Sequence, residues 1–196
     1  MTAMLFSMPG NERLAASIAE HTGWATGTLE VRRFPDQESY VRLRSGVSGS
    51  AVAVICTLAR PDDQIMRLLF AARLLRESGA GSVHLVAPYL AYMRQDRRFK
   101  DGEALTSRQF AQLLSSEFDG LVTVDPHLHR YADLGEIYSM ETASLAASPL
   151  LADWVRANVD APLIIGPDSE SEQWAGAIAR LIGAPHAVFA KSRRGD

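Results

Sequence analysis

Six short apolar runs punctuate this chain, and segments of helical periodicity stand between them. The runs are AMLFSM (Ala3–Met8), AVAVIC (Ala51–Cys56), SVHLVA (Ser82–Ala87), LVTV (Leu121–Val124), LIIG (Leu163–Gly166) and AVFA (Ala187–Ala190). Most do not alternate apolar with polar positions. Unbroken runs of this length suit strands covered on both faces, the situation in a parallel sheet flanked by helices. Asn11 is placed to cap a helix to about His21, with Leu14, Ala15 and Ile18 on one face. Asp62 or Asp63 starts a second helix, in which Ile65, Leu68, Leu69, Ala72 and Leu75 keep the i, i+3, i+4, i+7 spacing. Gly79 and Gly81 stop it. Further helices are predicted over Thr106–Glu117, from Ser148 to about Val159, and from about Glu170 to Gly183. Ser148 reads as a cap and Pro149 as the first helical residue. Leu29–Phe34 and Ser39–Leu43 read as two more strands around a Pro35-Asp36-Gln37-Glu38 turn.

This order predicts an α/β chain with mostly parallel sheets. A second such unit opens at Ser148, so two domains are expected, 1–146 and 147–196. The chain stops at Asp196, directly after a strand, where a crossover should follow. The second unit is therefore expected to be incomplete as given.

Charge and composition narrow the function. A net charge of −3 and a pI near 6.0 argue against a general nucleic-acid binder. No run of ~18 apolar residues is present to span a membrane. The start has no basic segment leading an apolar stretch, so no secretory signal is expected. The single cysteine, Cys56, cannot form an internal disulfide. A cytoplasmic location fits.

Ligands of open α/β sheets bind beyond the carboxyl ends of the strands. Three polar clusters fall there. Pro88 to Lys100 follows a strand and carries Arg94, Arg97, Arg98 and Lys100 beside Tyr89, Tyr92 and Phe99. Guanidinium forks suit phosphate, and aromatic rings can stack on a base. A solvated charged loop is the competing reading. Asp125-Pro126-His127-Leu128-His129 offers groups for Mg²⁺ or proton transfer, although an Asp-Pro turn ending a strand would look the same. The two histidines do not make a zinc site without a cysteine or a third nearby histidine. Gly166 to Glu172 joins a strand to a helix. Its carboxylates favour a hydrated Mg²⁺ over a bare phosphate, while Ser169 with Glu172 could simply be a capping box. Lys191-Ser192-Arg193-Arg194 adds a further basic group. Basic and acidic loops on one sheet edge suit polyphosphate with Mg²⁺.

These segments resemble the motifs of the ribose-phosphate pyrophosphokinases, or PRPP synthetases. Arg33-Phe34-Pro35-Asp36-Gln37-Glu38 is similar to their R-F-x-D-G-E segment, and Pro88-Tyr89 through Arg97 to their P-Y-x-x-Y-x-R-Q-D-R loop. Asp125-x-His127, Pro167-Asp168 and Lys191-x-Arg193 resemble their D-x-H, S-P-D and K-x-R motifs. The matches keep the family's order across essentially the whole chain. The resemblance implies two phosphoribosyltransferase-like units, the second incomplete here. It also implies Mg²⁺-dependent transfer of diphosphate from ATP to the C1 hydroxyl of ribose 5-phosphate, giving PRPP and AMP. On the same ground Asp36 and Glu38 reach the ATP base, usually in a neighbouring subunit, so a homo-oligomer is expected. Arg94 and Gln95 bind ATP, and His127 and Asp168 serve Mg²⁺. Lys191 is catalytic, and Arg193 helps hold the reacting groups or the ribose phosphate.

The chain departs from the family pattern in three places. Gln37 stands where glycine is usual, so the turn must avoid positive φ or bear its cost. Ser169-Glu170-Ser171-Glu172 replaces a glycine-rich stretch. The D-D-x-x-x-T-type loop that grips ribose 5-phosphate is absent, and in the family it would lie downstream of residue 196. A catalytically silent, nucleotide-binding regulatory subunit is therefore the alternative reading. A phosphoribosyltransferase consuming PRPP is a weaker one. The Arg97–Glu103 insert is closer to the shorter archaeal-like branch.

Overall fold

All six apolar runs become strands. In chain order the elements are β1 (Ala3–Ser7), α1 (Glu12–Thr22), β2 (Ala25–Thr26), β3 (Leu29–Arg33), β4 (Ser39–Leu43), β5 (Ala51–Ile55), α2 (Pro61–Glu77) and β6 (Ser82–Ala87). There follow α3 (Thr106–Glu117), β7 (Gly120–Val124), β8 (Glu141–Leu145), α4 (Ser148–Asn158), β9 (Ile164–Gly166), α5 (Glu172–Ile182) and β10 (His186–Val188). The structure is a computed structural model and describes residues 2–190. The chain divides into two compact units between Leu145 and Ala146.

In the first unit, six strands lie in the order β2-β1-β5-β6-β7-β8, and every neighbouring pair is parallel. Successive residues of a strand face opposite sides of a sheet. Thus Phe6, Val52 and Val54 join a core with Leu68, Ala72 and Leu75 of α2 and Phe110, Ala111 and Leu114 of α3. Leu5, Ala53 and Ile55 point the other way, onto Ala15 and Ile18 of α1. Two separate apolar cores on two faces explain why β1 and β5 show no polar alternation. Each buried Leu contributes ~1.5–3 kcal/mol relative to exposure.

The structure corrects several local expectations. Leu14 is exposed, and Ala15 is the buried residue of α1. The Asn11 side chain does not cap that helix. Its oxygen accepts the Thr57 N–H at 2.8 Å and its amide donates to Met8 O at 3.2 Å, so it ties the exit of β1 to the exit of β5. Ser148 is already helical, and Ala147 precedes it as the cap residue. β2 and β8 were not expected. β2 has two residues, and both are exposed. β8 (ETASL) is an edge strand exposed at four of its five positions, so it carries no apolar run to read.

β3 and β4 form an antiparallel hairpin of their own. At its tip, Gln37 N–H donates to Phe34 O at 2.9 Å and Phe34 N–H to Glu38 O at 2.8 Å. Gln37 sits at φ 75°, in the left-handed region. This is the tight-turn-plus-bulge geometry whose left-handed position favours glycine, so Gln37 bears the cost of positive φ.

A second fastening sits where α2 and α3 meet. The Arg73 guanidinium grips the Glu117 carboxylate with Nε at 2.8 Å and Nη2, while Arg76 donates to Glu117 O and pairs with Asp119 at 2.9 Å. Asp119 in turn accepts the Val83 N–H at 2.7 Å, which anchors the start of β6. The Arg73 hydrogen bond holds the Glu117 carboxyl below its ordinary pKa, against the opposing effect of burial.

In the second unit, β9 and β10 pair in parallel, and α4 and α5 bury Ala152, Ala175 and Ala179.

Two expectations can be measured. Gln37→Gly relieves a left-handed residue worth ~1–2 kcal/mol at an entropic cost of ~0.5–1 kcal/mol, so a small gain in thermal stability is expected. A loss would mean that the bonds of the Gln37 side chain to Arg33 and Pro35 outweigh the strain. Glu117 has a depressed folded pKa, so its contribution is present above its unfolded value of ~4.3 and disappears as pH falls through the lower folded value. Urea melts should therefore show Glu117→Gln less stable than wild type at neutral pH, with the gap closing under acid. A gap independent of pH would remove this ion pair from the stability of the fold.

Candidate active site

β6 and β7 are neighbours in the sheet, and each ends in one of the polar loops singled out above. In the loop after β6, Leu90, Ala91 and Met93 are buried while Arg94, Arg97, Arg98 and Lys100 are exposed. The apolar residues root the loop in the core and turn its cations outward. Tyr92 takes a left-handed backbone at φ 61°. Its hydroxyl hydrogen-bonds the Asp62 carboxylate, and its ring packs on Phe110 with centroids 4.7 Å apart. Those contacts offset the ~1–2 kcal/mol of such a conformation and set the direction in which Arg94 leaves the sheet. Arg94 has no hydrogen bond or ion pair among the described residues. Gln95 accepts from Thr106 Oγ1 at 3.1 Å through its side-chain oxygen, which leaves its NH₂ as a free donor.

Asp96 is the exception in this loop, a carboxylate whose side chain is 1% exposed. Its partner comes from the other loop. Arg130 Nη1 donates to both carboxylate oxygens, at 3.0 and 3.1 Å. Tyr131 adds its hydroxyl to the Asp96 carbonyl at 3.4 Å and meets Ser107 Oγ at 2.9 Å. Phe99 lies under Arg97 at 4.6 Å and 6.0 Å from Arg130. Arg130 stands three residues past His127. The loop bearing Arg94 and Gln95 is thus clasped to the loop bearing His127 by a buried charge pair. Sequence reasoning missed Arg130, and it gave Asp96 no role of its own. An acid inside a run of four cations was the available signal, because it must find a partner if it is buried.

His127 is half-buried, and its ring centroid lies 6.1 Å from that of His129. Asp125 has φ 41°, and its N–H bonds Leu145 O at 2.9 Å, which fixes the end of β7 to β8.

Asp36 and Glu38 are exposed at the hairpin tip. Asp36 Oδ1 accepts the Glu38 N–H at 3.1 Å, and the Glu38 carboxylate has no partner among the described residues. Arg32 stacks over Tyr40 at 4.0 Å and Phe34 at 4.7 Å, which stiffens the tip.

Asp168 belongs to the second unit. Its Oδ1 accepts the Ser171 N–H at 3.1 Å, and Ser171 Oγ accepts the Asp168 N–H at 3.2 Å. The capping box is therefore Asp168 with Ser171, one step before the expected Ser169 with Glu172. One carboxylate oxygen of Asp168 is spent on the cap. Lys191 and Arg193 lie outside the described residues.

Comparison with known proteins bears on these loops. A sequence profile described as the N-terminal domain of ribose phosphate pyrophosphokinase matches residues 3–117. A ribose-phosphate pyrophosphokinase of Methanothermobacter thermautotrophicus is 34% identical over 181 residues, 92% of this chain and 62% of the relative. A protein of Lactiplantibacillus plantarum named as putative ribose-phosphate pyrophosphokinase 2 is 32% identical, over 94% of this chain and 58% of its own. The crystal structure of phosphoribosylpyrophosphate synthetase from Mycobacterium smegmatis superposes with a TM-score of 0.87 at 25% identity, covering 98% of this chain and 65% of that one. The chain thus spans about three-fifths of the length of these relatives.

Removing Arg130 should strand a buried carboxylate. Arg130→Ala is expected to lower stability by ~1–3 kcal/mol, scaled down from a fully buried pair because the arginine side is partly open to solvent. Asp96→Asn with Arg130→Gln, which leaves no charge uncompensated, should recover part of the loss. A denaturant series reading no change in Arg130→Ala would show that the clasp does not hold the loop.

Proposed function

This chain belongs to the ribose-phosphate pyrophosphokinase family, and from that membership we propose that it serves Mg²⁺-dependent transfer of diphosphate from ATP to ribose 5-phosphate. The observation that carries the proposal is the Asp96–Arg130 clasp. It keeps an unpaired guanidinium, an amide donor and a histidine on loops of adjacent parallel strands, at the sheet edge where such folds bind ligands.

Each residue has a task in this reading. Arg94 and Gln95 bind the ATP phosphates, one with charge and one with a directed N–H. Asp36 and Glu38 hold the base of ATP bound in a neighbouring copy, and the assembly is a homo-oligomer. Lys191 and Arg193 meet the charge that develops as the ribose C1 oxygen attacks the β-phosphorus and the bond to AMP breaks. Positioned donors at such a centre each contribute ~10²–10³ in rate.

The donor set suits a metal that arrives with the nucleotide. Among the described residues, no three His, Cys, Asp or Glu side chains gather into a cage. Magnesium keeps several waters and is commonly held by one or two protein groups plus substrate phosphates. His127, and the oxygen of Asp168 not used by its cap, are the groups that would contribute. When bound, the ion neutralises phosphate charge. We place the reaction in the cytoplasm; no described helix is long and apolar enough to cross a membrane. Neither nucleic acid nor membrane is a partner in this reading.

The test has a binding arm and a turnover arm. Calorimetry should show ATP binding in the presence of Mg²⁺, weakened at least ~10-fold in Arg94→Ala through loss of a charged hydrogen bond. With ribose 5-phosphate added, AMP should form, and Lys191→Ala should slow its release at least ~10²-fold with ATP binding kept. ATP binding without AMP would favour the silent regulatory subunit, and the absence of both would reject the site.

A further inference from the structure

Away from these loops, a hollow of about 210 Å³ opens beside the exit of β1 and the first turns of α2, lined by Met8, Pro9, Arg60, Asp63, Gln64 and Arg67. Its charges are unbalanced. Arg67 Nη2 donates to Asp63 O in its own helix at 2.5 Å, but Arg67 Nε is shut off from solvent and meets no acceptor among the described residues. A buried donor without a partner costs ~1–3 kcal/mol. Arg60 is exposed and has no hydrogen bond or ion pair among the described residues.

The nearby acids are already engaged. Asp63 is the one acid lining the hollow, and its carboxylate lies 3.6 Å from Arg33 of β3. The neighbouring Asp62 is held by the Tyr92 hydroxyl. Gln64 is set in place from beneath. Cys56 is fully buried, its thiol is pushed up to about 12 by burial, and it remains a neutral S–H donor to Gln64 Oε1 at 3.3 Å. That bond occupies the oxygen of Gln64 and leaves its NH₂ to donate.

Two guanidinium groups and an amide line one concavity; among the described residues Arg60 and the Gln64 NH₂ have no acceptor, and Arg67 spends only Nη2, on Asp63 O. Its size limits the occupant. At ~30 Å³ per water it accepts a small anion with a few waters. It falls below the ~300 Å³ at which sites for larger organic ligands begin. None of its lining residues belongs to the loops of Arg94 and His127.

We propose that Arg60, Gln64 and Arg67 form a second anion site, for a small tetrahedral oxyanion of the phosphate type. Arg67 offers Nη1, the terminal nitrogen not bonded to Asp63 O, Arg60 supplies charge at the mouth, and the Gln64 NH₂ supplies a further donor. The site needs no metal and does not depend on the diphosphate-transfer reading. Its phosphate comes either as the free ion or as the head of a small monoester.

The test follows the arginine Nε–H signals of the full chain by nitrogen-15 NMR while inorganic phosphate, and separately glycerol phosphate, is added at constant ionic strength. Arg67→Lys identifies the Arg67 signal by removing it. A saturable shift of that signal is expected, and sodium chloride alone should not produce it. Arg60→Gln, at an exposed residue with no bond to lose, should weaken binding ~10-fold or more, while Arg94→Gln should leave the affinity within about twofold. A response to both additives identifies the phosphate head as the recognised group, and a response to phosphate alone identifies the free ion. No saturable shift, unchanged affinity in Arg60→Gln, or loss of the shift in Arg94→Gln would overturn the proposal. In the last case the phosphate belongs to the loop after β6.

Discussion

A carboxylate cannot be buried alone, and the candidate site is organised around that constraint. Asp96 lies inside the loop after β6, almost wholly withdrawn from water, and accepts both its hydrogen bonds from Arg130. The loop after β6 has no helix or strand to hold it, and the loop after β7 has only a single 3-10 turn, Leu134–Glu136. The charge pair supplies the rigidity that a strand or helix would otherwise give, and Tyr131 adds a neutral bond to the same loop. Surface cations can then stay unpaired, because the loop does not need them to keep its shape. Arg94 is left free for a ligand on this account.

The parallel sheet determines which loops can cooperate. β6 and β7 are adjacent and parallel, so their carboxyl ends open onto the same edge. The β5 exit neighbours them on the other side, and Asn11 bridges it to β1 with a single side chain. The hollow of Arg60 and Arg67 therefore shares this edge without sharing residues with the clasped loops. One architecture presents two differently built features, the clasped loops and the hollow. One is rooted by loop side chains and the other is walled by the first turns of a helix.

Much of this was legible beforehand, because burial on both faces leaves a strong mark. β1, β5, β6 and β7 were readable from apolar runs, and α2 and α3 from spacing. β8 was not readable, since an exposed edge strand needs no apolar residues. The caps lie one residue before Ser148 and Ser169: Asp168 offers an oxygen much like that of Ser169, and Ala147 caps through its backbone alone, which no side-chain pattern marks. The loops after β6 and β7 stood out by composition, but the bond between them did not. Asp96 and Arg130 are separated by an entire helix and strand, and pairing over that distance leaves no local pattern. Gln37 was legible as a conflict, and the structure resolves it by accepting the left-handed backbone.

The order of strands has a consequence for how the chain reaches this state. β1 is first in sequence, yet its full-length partner is β5, with Ala3 facing Ala51. Closing that long loop costs entropy before any contact repays it. β5, α2 and β6 are by contrast a local unit, with an amphipathic helix between two strands that pair directly. Assembly is therefore most economical from the middle outward. The amino-terminal strand docks onto a nucleus made later in the chain, and the bridge from Asn11 to Thr57 closes only when it has arrived.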